Sequence, residues 1–178
     1  MFLNNTYGRI KVAKEEHSIP KKNQKSIVKA IGLTLIPLAI GGVSALMTNG
    51  AMSDFSEMKQ PPLSPPGWLF PVAWSVLYLL MGFASYLIYN SSAKSAQKKT
   101  WISVYFIQLF FNFCWSPVFF NFKWYWFALG WLIVMWAMII FLIARASKID
   151  RRAMWLLVPY VLWCTFAAYL NAGIAILN

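Results

Sequence analysis

The run WYWFALGWLIVMWAMIIFLIA, from Trp124 to Ala144, carries no charged side chain and no alternation of polar with apolar residues. About 20 apolar helical residues cross a hydrocarbon core of roughly 30 Å, whereas a spanning β-strand needs about 10 with every second position apolar. A continuous run of this length reads as a transmembrane helix, not a barrel strand. Outward from it, four more stretches are free of charge: Ile31 to Met47, Trp68 to Tyr89, Trp101 to Phe122 and Ala153 to Leu177. The five runs are 17 to 25 residues long, which predicts an all-α membrane protein, a bundle of five transmembrane helices. Residues 1–26 read as a basic, disordered cytoplasmic tail and residues 27–178 as a single five-helix transmembrane domain.

Composition agrees with a bilayer environment. The chain has 178 residues, 60% hydrophobic, 18% aromatic and only 12% charged, with a mean hydropathy of +0.55. A soluble domain of this length needs far more polar surface. His17, the one histidine, falls in the polar tail, so no His-based metal site, haem ligation or catalytic dyad is expected within the membrane. Cys114 and Cys164 lie in apolar runs, where a thiol acts as a small hydrophobe. All five acids, Glu15, Glu16, Asp54, Glu57 and Asp150, lie outside the spans, which disfavours a proton-coupled exporter built on intramembrane carboxylates. Glu15 and Glu16 also argue against reading the tail as a transit peptide.

The basic residues alternate between ends of the spans. Arg9, Lys11, Lys14, Lys21, Lys22, Lys25 and Lys29 precede the first span, and Lys59 follows it. Lys94, Lys98 and Lys99 precede the third, Lys123 follows it, and Arg145, Lys148, Arg151 and Arg152 separate the fourth from the fifth. Cytoplasmic loops are enriched in Lys and Arg, so both the second-to-third and fourth-to-fifth connections, with the N-terminus, are expected inside a plasma membrane. The net charge of +11 then follows from topology, and no nucleic-acid partner is expected. Attraction to anionic lipid headgroups follows from the same residues.

Polar and aromatic residues recur at helical spacing within the spans. In the first, Pro37, Gly41 and Ala45 form a small-residue face suited to close packing against a helix of this chain or of a second copy, so a homodimer is also entertained. The longest loop ends in QPPLSPPGW, Gln60 to Trp68; its prolines stiffen it as a rigid helix start or as a lid over a cavity. Gln108, Asn112 and Trp115 share one face of the third helix, and Tyr160, Trp163, Ala167 and Asn171 one stripe of the fifth. Each face is open to two readings, interhelical hydrogen bonding or a ligand anchor. Of the ten tryptophans, Trp74, Trp115, Trp131, Trp136 and Trp163 lie too deep for an interfacial belt.

These residues resemble the translocator protein family, also called tryptophan-rich sensory proteins or peripheral-type benzodiazepine receptors. The resemblance covers residues 31–171. It rests on Pro61 to Trp68 running into Pro71-Val72-Ala73-Trp74 and Leu77-Tyr78, on Gln108, Asn112, Trp115, Pro117 and Phe119-Phe120, and on Pro159-Tyr160, Trp163, Phe166-Ala167 and Leu170-Asn171. It implies a five-helix bundle with a pocket open toward the first loop that binds porphyrins, haem-like tetrapyrroles, sterols or benzodiazepine-site drugs. Asn112, Trp115, Trp163 and Ala167 match pocket positions of the family; with Leu63, Trp74, Gln108 and Tyr160 they make the candidate ligand-contact set. No catalytic or metal-ligating residue is assigned. The implied function is an integral membrane receptor or carrier with a porphyrin or other small apolar ligand and no required cofactor; the alternative is a light-dependent porphyrin-degrading enzyme. Two positions depart from the family pattern. Leu63 stands where relatives commonly have Trp before x-Pro-Pro, which predicts that porphyrin is bound but degraded slowly or not at all. Ala172 follows Asn171 where the sterol-recognition pattern of some relatives needs Tyr and then a basic residue.

Overall fold

The computed structural model describes residues 21–48, 50, 55 and 57–178. Five helices carry the chain: α1 Lys21–Thr48, α2 Leu69–Asn90, α3 Ser95–Ser116, α4 Tyr125–Ile149 and α5 Arg151–Leu177. All five are long and apolar enough to cross a membrane, and no strand occurs among the described residues. The protein is an all-α integral membrane protein. Helix α1 begins at Lys21, so residues 21–26, read above with the tail, are helical; the remainder of that tail lies outside the described residues.

Neighbouring helices pack in the order α1, α2, α5, α4, α3 and back to α1. Close approach is set by small residues. A Cβ on Gly82 of α2 would stand 2.5 Å from the Thr34 Cα and carbonyl oxygen of α1, so these two backbones touch as small-residue faces in membranes do. At the basic end of the bundle the core is dense: Met81, Ala84 and Ile88 of α2 meet Trp101, Tyr105 and Leu109 of α3, Met135, Ile139 and Leu142 of α4, and Leu157 of α5. The Trp101 indole N–H donates to the Leu142 carbonyl (3.0 Å) and locks α3 to α4 there. The opposite face of each helix is apolar and exposed, as at Val76, Ile107, Phe110, Ile133 and Leu162, which suits lipid contact.

Beyond α3 the chain does not stop but widens into a π-helical turn, Pro117–Asn121, closed by Phe122 N–H donating to the Pro117 carbonyl (3.0 Å). Pro117 has no N–H to continue the α-helical ladder, and the wider turn aims Phe119 and Phe120 at the bundle's far end. There a second, smaller cluster forms from Phe55, Phe119, Ala128 and Ile174. Between the two clusters the helices are not filled.

Candidate functional site

That gap is a cavity of about 400 Å³. Its α1 wall is the small-residue face, Gly41, Ser44, Ala45 and Thr48. Phe70, Trp74 and Tyr78 of α2 supply rings at four-residue spacing, Trp115 and Phe120 continue the wall from α3 and the π turn, and Trp163 and Ala167 complete it from α5. Gly41 is required by shape, because a Cβ there would overlap the Tyr78 ring. The rings brace each other: Trp74 stacks on Tyr78 (5.5 Å), Phe70 meets Trp163 edge-on (6.1 Å), and Trp115 stacks on Phe119 (5.0 Å). Such geometries favour fixed orientations.

No side chain lining this cavity is charged. Three of its hydroxyls are engaged with helix carbonyls: Ser44 donates to Phe113 (3.3 Å), Thr48 to Ser44 (3.0 Å) and Ser75 to Pro71 (2.8 Å). The buried Trp115 Nε1 has no hydrogen-bond partner. The surface is therefore apolar and aromatic, with few directional anchors.

Four of the eight residues assigned from sequence, Trp74, Trp115, Trp163 and Ala167, are brought together in this wall. Gln108, Asn112 and Tyr160 are not; they form a buried network just behind it. The Tyr78 hydroxyl donates to Asn112 Oδ1 (2.6 Å), the Asn112 amide donates to the Tyr160 hydroxyl (3.0 Å), and Gln108 Nε2 donates to that same hydroxyl. Tyr160 in turn points its O–H at the Met135 sulfur (3.7 Å). Of the two readings of the α3 face, interhelical hydrogen bonding describes Gln108 and Asn112, and Asn112 reaches the cavity only through Tyr78. Leu63 also lies outside the wall and is 83% exposed. The deep tryptophans divide likewise: Trp131 and Trp136 donate to Phe111 O and Thr165 Oγ1 (both 2.9 Å) in helix contacts, while the other three line the cavity.

Phe70, Tyr78 and Phe55 stand outside the eight candidate residues. The spacing Phe70, Trp74, Tyr78 is a helical stripe that would have found the α2 wall. Phe55 had no such signal. It is buried against Phe70 and Phe120 (5.7 Å each) and closes the cavity's loop end.

The loop over this end is tied down on α5. Asn178 clamps the Lys59 backbone, accepting from its N–H (3.2 Å) and donating to its carbonyl (3.0 Å). Tyr169 O–H donates to the Pro62 carbonyl (2.7 Å), and Pro61 sits where a Cβ on Gly173 would be, 2.5 Å away. The stiff proline segment is thus both the approach to α2 and a strap tied to the end of α5. Within it, Ser64 N–H donates to the Pro61 carbonyl (3.3 Å) around Pro62 and Leu63, and Leu63 takes a left-handed φ of 66°, the position where a type II turn prefers Gly or Asn.

Comparison with known proteins agrees with this architecture. The pattern of the TspO/MBR family matches residues 33–177. The chain is 30% identical to tryptophan-rich protein TspO of Chlorobaculum tepidum over 86% of this chain and 96% of that protein. It is 34% identical to the tryptophan-rich sensory protein of Cereibacter sphaeroides, covering 78% and 87% of the two chains. With the translocator protein of Bos taurus the identity is 32%, over 81% of this chain and 86% of the relative.

Proposed function

The chain belongs to the TspO/MBR family, and from that premise we propose that it is a membrane receptor or carrier that binds porphyrin, another tetrapyrrole or a similar flat apolar molecule in the cavity between α1, α2, α3 and α5. The observation that carries this reading is the neutral, aromatic-walled space of about 400 Å³. A tetrapyrrole offers two large π faces, and rings fixed at several inclinations can stack on a face and grip an edge. Trp74, Trp115, Trp163 and Ala167 make direct contact; Asn112, Gln108 and Tyr160 act by holding Tyr78. The printed names of relatives, translocator and sensory protein, are compatible with carriage or signalling of such a ligand. The basic asymmetry supports a plasma-membrane location with the N-terminus cytoplasmic, and the exposed Val43 and Leu46 of α1, outside the cavity lining, leave an apolar face for a second copy.

Titration of protoporphyrin into the purified full chain in the dark, followed by tryptophan quenching and the porphyrin absorbance band, tests the proposal. Trp163→Ala and Trp115→Ala should each weaken binding by about tenfold, since losing a large buried contact costs roughly 1.5 kcal/mol or more. Non-saturable quenching, or equal affinity in wild type and both variants, would end it. Illumination of the same samples addresses the enzymatic alternative. Because residue 63 lies outside the wall, Leu63→Trp is expected to bleach bound porphyrin no faster than wild type.

A further inference from the structure

At the basic end of the bundle, far from the main cavity, a second recess of about 190 Å³ opens between the start of α3 and the end of α4. Ala96, Trp101, Arg145, Lys148 and Ile149 line it. Its floor is rigid, because the fully buried Trp101 is fixed by the bond to Leu142. Arg145 and Lys148 stand one turn apart on the same side of α4, and the Arg145 guanidinium lies over the Phe141 ring, 5.1 Å from its centre, which restrains its direction.

Among the described residues these two cations have no acidic counterpart. Asp150, the nearest acid in sequence, is taken by Arg152, whose backbone N–H, Nε and Nη2 donate to its two carboxylate oxygens (2.9, 3.2 and 2.9 Å). Glu57, the other described acid, lies in the loop at the other end of the bundle. The first-turn amides of α3, which begins at Ser95, lie on the rim and add partial positive charge. Two cations with no acid beside them among the described residues, a fixed aromatic floor and a space between them suit a compact anion with several acceptor oxygens. Guanidinium and ammonium groups together bind phosphate well, one as a planar fork and one as a point charge.

We propose that this recess binds a phosphate group, carried either by an anionic phospholipid headgroup in the adjoining leaflet or by a soluble phosphate monoester. The placement beside the first residues of one span and the last of another sets it at the membrane interface, where both sources can reach.

The test uses the purified full chain with two probes, phosphatidylglycerol supplied in phosphatidylcholine nanodiscs and glycerol 3-phosphate in solution. Binding is read from the thermal unfolding midpoint and from adducts in native mass spectrometry. Arg145→Gln with Lys148→Gln should weaken phosphate binding by about tenfold or more. Arg151→Gln with Lys99→Gln removes the same charge from the same end outside the recess, and should change it by less than about twofold. Ala96→Phe keeps every charge but fills the space, and should also abolish binding. Stabilisation by phosphatidylglycerol alone assigns the lipid as source, and competition by glycerol 3-phosphate assigns the soluble one. Equal loss in the two charge pairs, full binding by Ala96→Phe, or no response to either probe overturns the proposal.

Discussion

At the scale of single residues, two backbone positions bear most directly on the site. Gly41 is bare because the Tyr78 ring occupies the place of a side chain. Gly41→Val should therefore push Tyr78 into the cavity or α1 away from α2, a form of overpacking that costs typically about 1–3 kcal/mol. A lowered unfolding midpoint together with weaker porphyrin binding is the expected result; an unchanged midpoint would show that α1 moves freely at this point. Leu63 presents the reverse situation. Its φ of 66° is a conformation that costs a non-glycine residue roughly 1–2 kcal/mol, and its exposed side chain gains no burial in return. Leu63→Gly should raise stability by less than about 1 kcal/mol, since glycine's extra chain entropy offsets about 0.5–1 kcal/mol of the relief. Porphyrin affinity should not change, because the side chain is not part of the wall. A large loss of affinity in Leu63→Gly would mean that this residue reaches the ligand after all.

At the scale of elements, the cavity depends on one hydrogen-bonded relay joining α2, α3 and α5. Asn112→Ala leaves the Tyr78 hydroxyl buried without an acceptor, a loss of about 1–3 kcal/mol, whereas removing both partners is far milder. The double variant Asn112→Ala with Tyr78→Phe should therefore cost less than the sum of the singles, with a coupling of roughly 0.5–3 kcal/mol. Strict additivity in unfolding measurements would deny that the bond matters. The hinge from α4 to α5 is another element with a measurable signature. Asp150 caps α5 by accepting from Arg152 N–H, and the Arg152 side chain beside it holds its carboxyl below the ordinary carboxylate value. A depressed folded-state value stabilises the protein above the unfolded value, and that contribution disappears as pH falls through the folded one. Wild type should thus lose stability on acidification through and below the carboxylate range more steeply than Asp150→Asn, as followed by unfolding midpoints against pH. The helices themselves were readable from uncharged runs such as Trp124 to Ala144. What those runs could not reveal is which apolar face meets lipid and which meets the cavity, since both are equally hydrophobic in a membrane. Gln108 and Asn112 show the limit: their spacing places them on one face of α3, but only the packed bundle puts Tyr160 and Tyr78 within their reach. Phe55 lay beyond sequence reasoning because its burial depends on Phe70, Phe120 and the π turn, three separate parts of the chain.

At the scale of the molecule, two gradients run along the bundle in opposite directions. The dense core of Trp101, Met135 and Leu142 lies at the end where Lys94, Lys98, Lys99, Arg145, Lys148, Arg151 and Arg152 gather. The cavity and its tied loop lie at the other, where the described residues include only Lys59 and Lys123 as cations. Since positive loops are retained on the cytoplasmic side, the dense end should face the cytoplasm and the cavity should open in the outer half of the membrane. A ligand would then approach from outside or from the outer leaflet, and the recess holding Arg145 and Lys148 would face the inner leaflet. Single cysteines in a background of Cys114→Ala and Cys164→Ala can decide this. Ser92→Cys reports the connection between α2 and α3, and Gly67→Cys reports the covering loop, where a side chain has open space. An impermeant maleimide added to intact cells should label position 67 and reach position 92 only after the membrane is permeabilised. Labelling of 92 but not 67 would invert the orientation and place the cavity mouth in the cytoplasmic half, making the protein a receiver of ligands from within the cell.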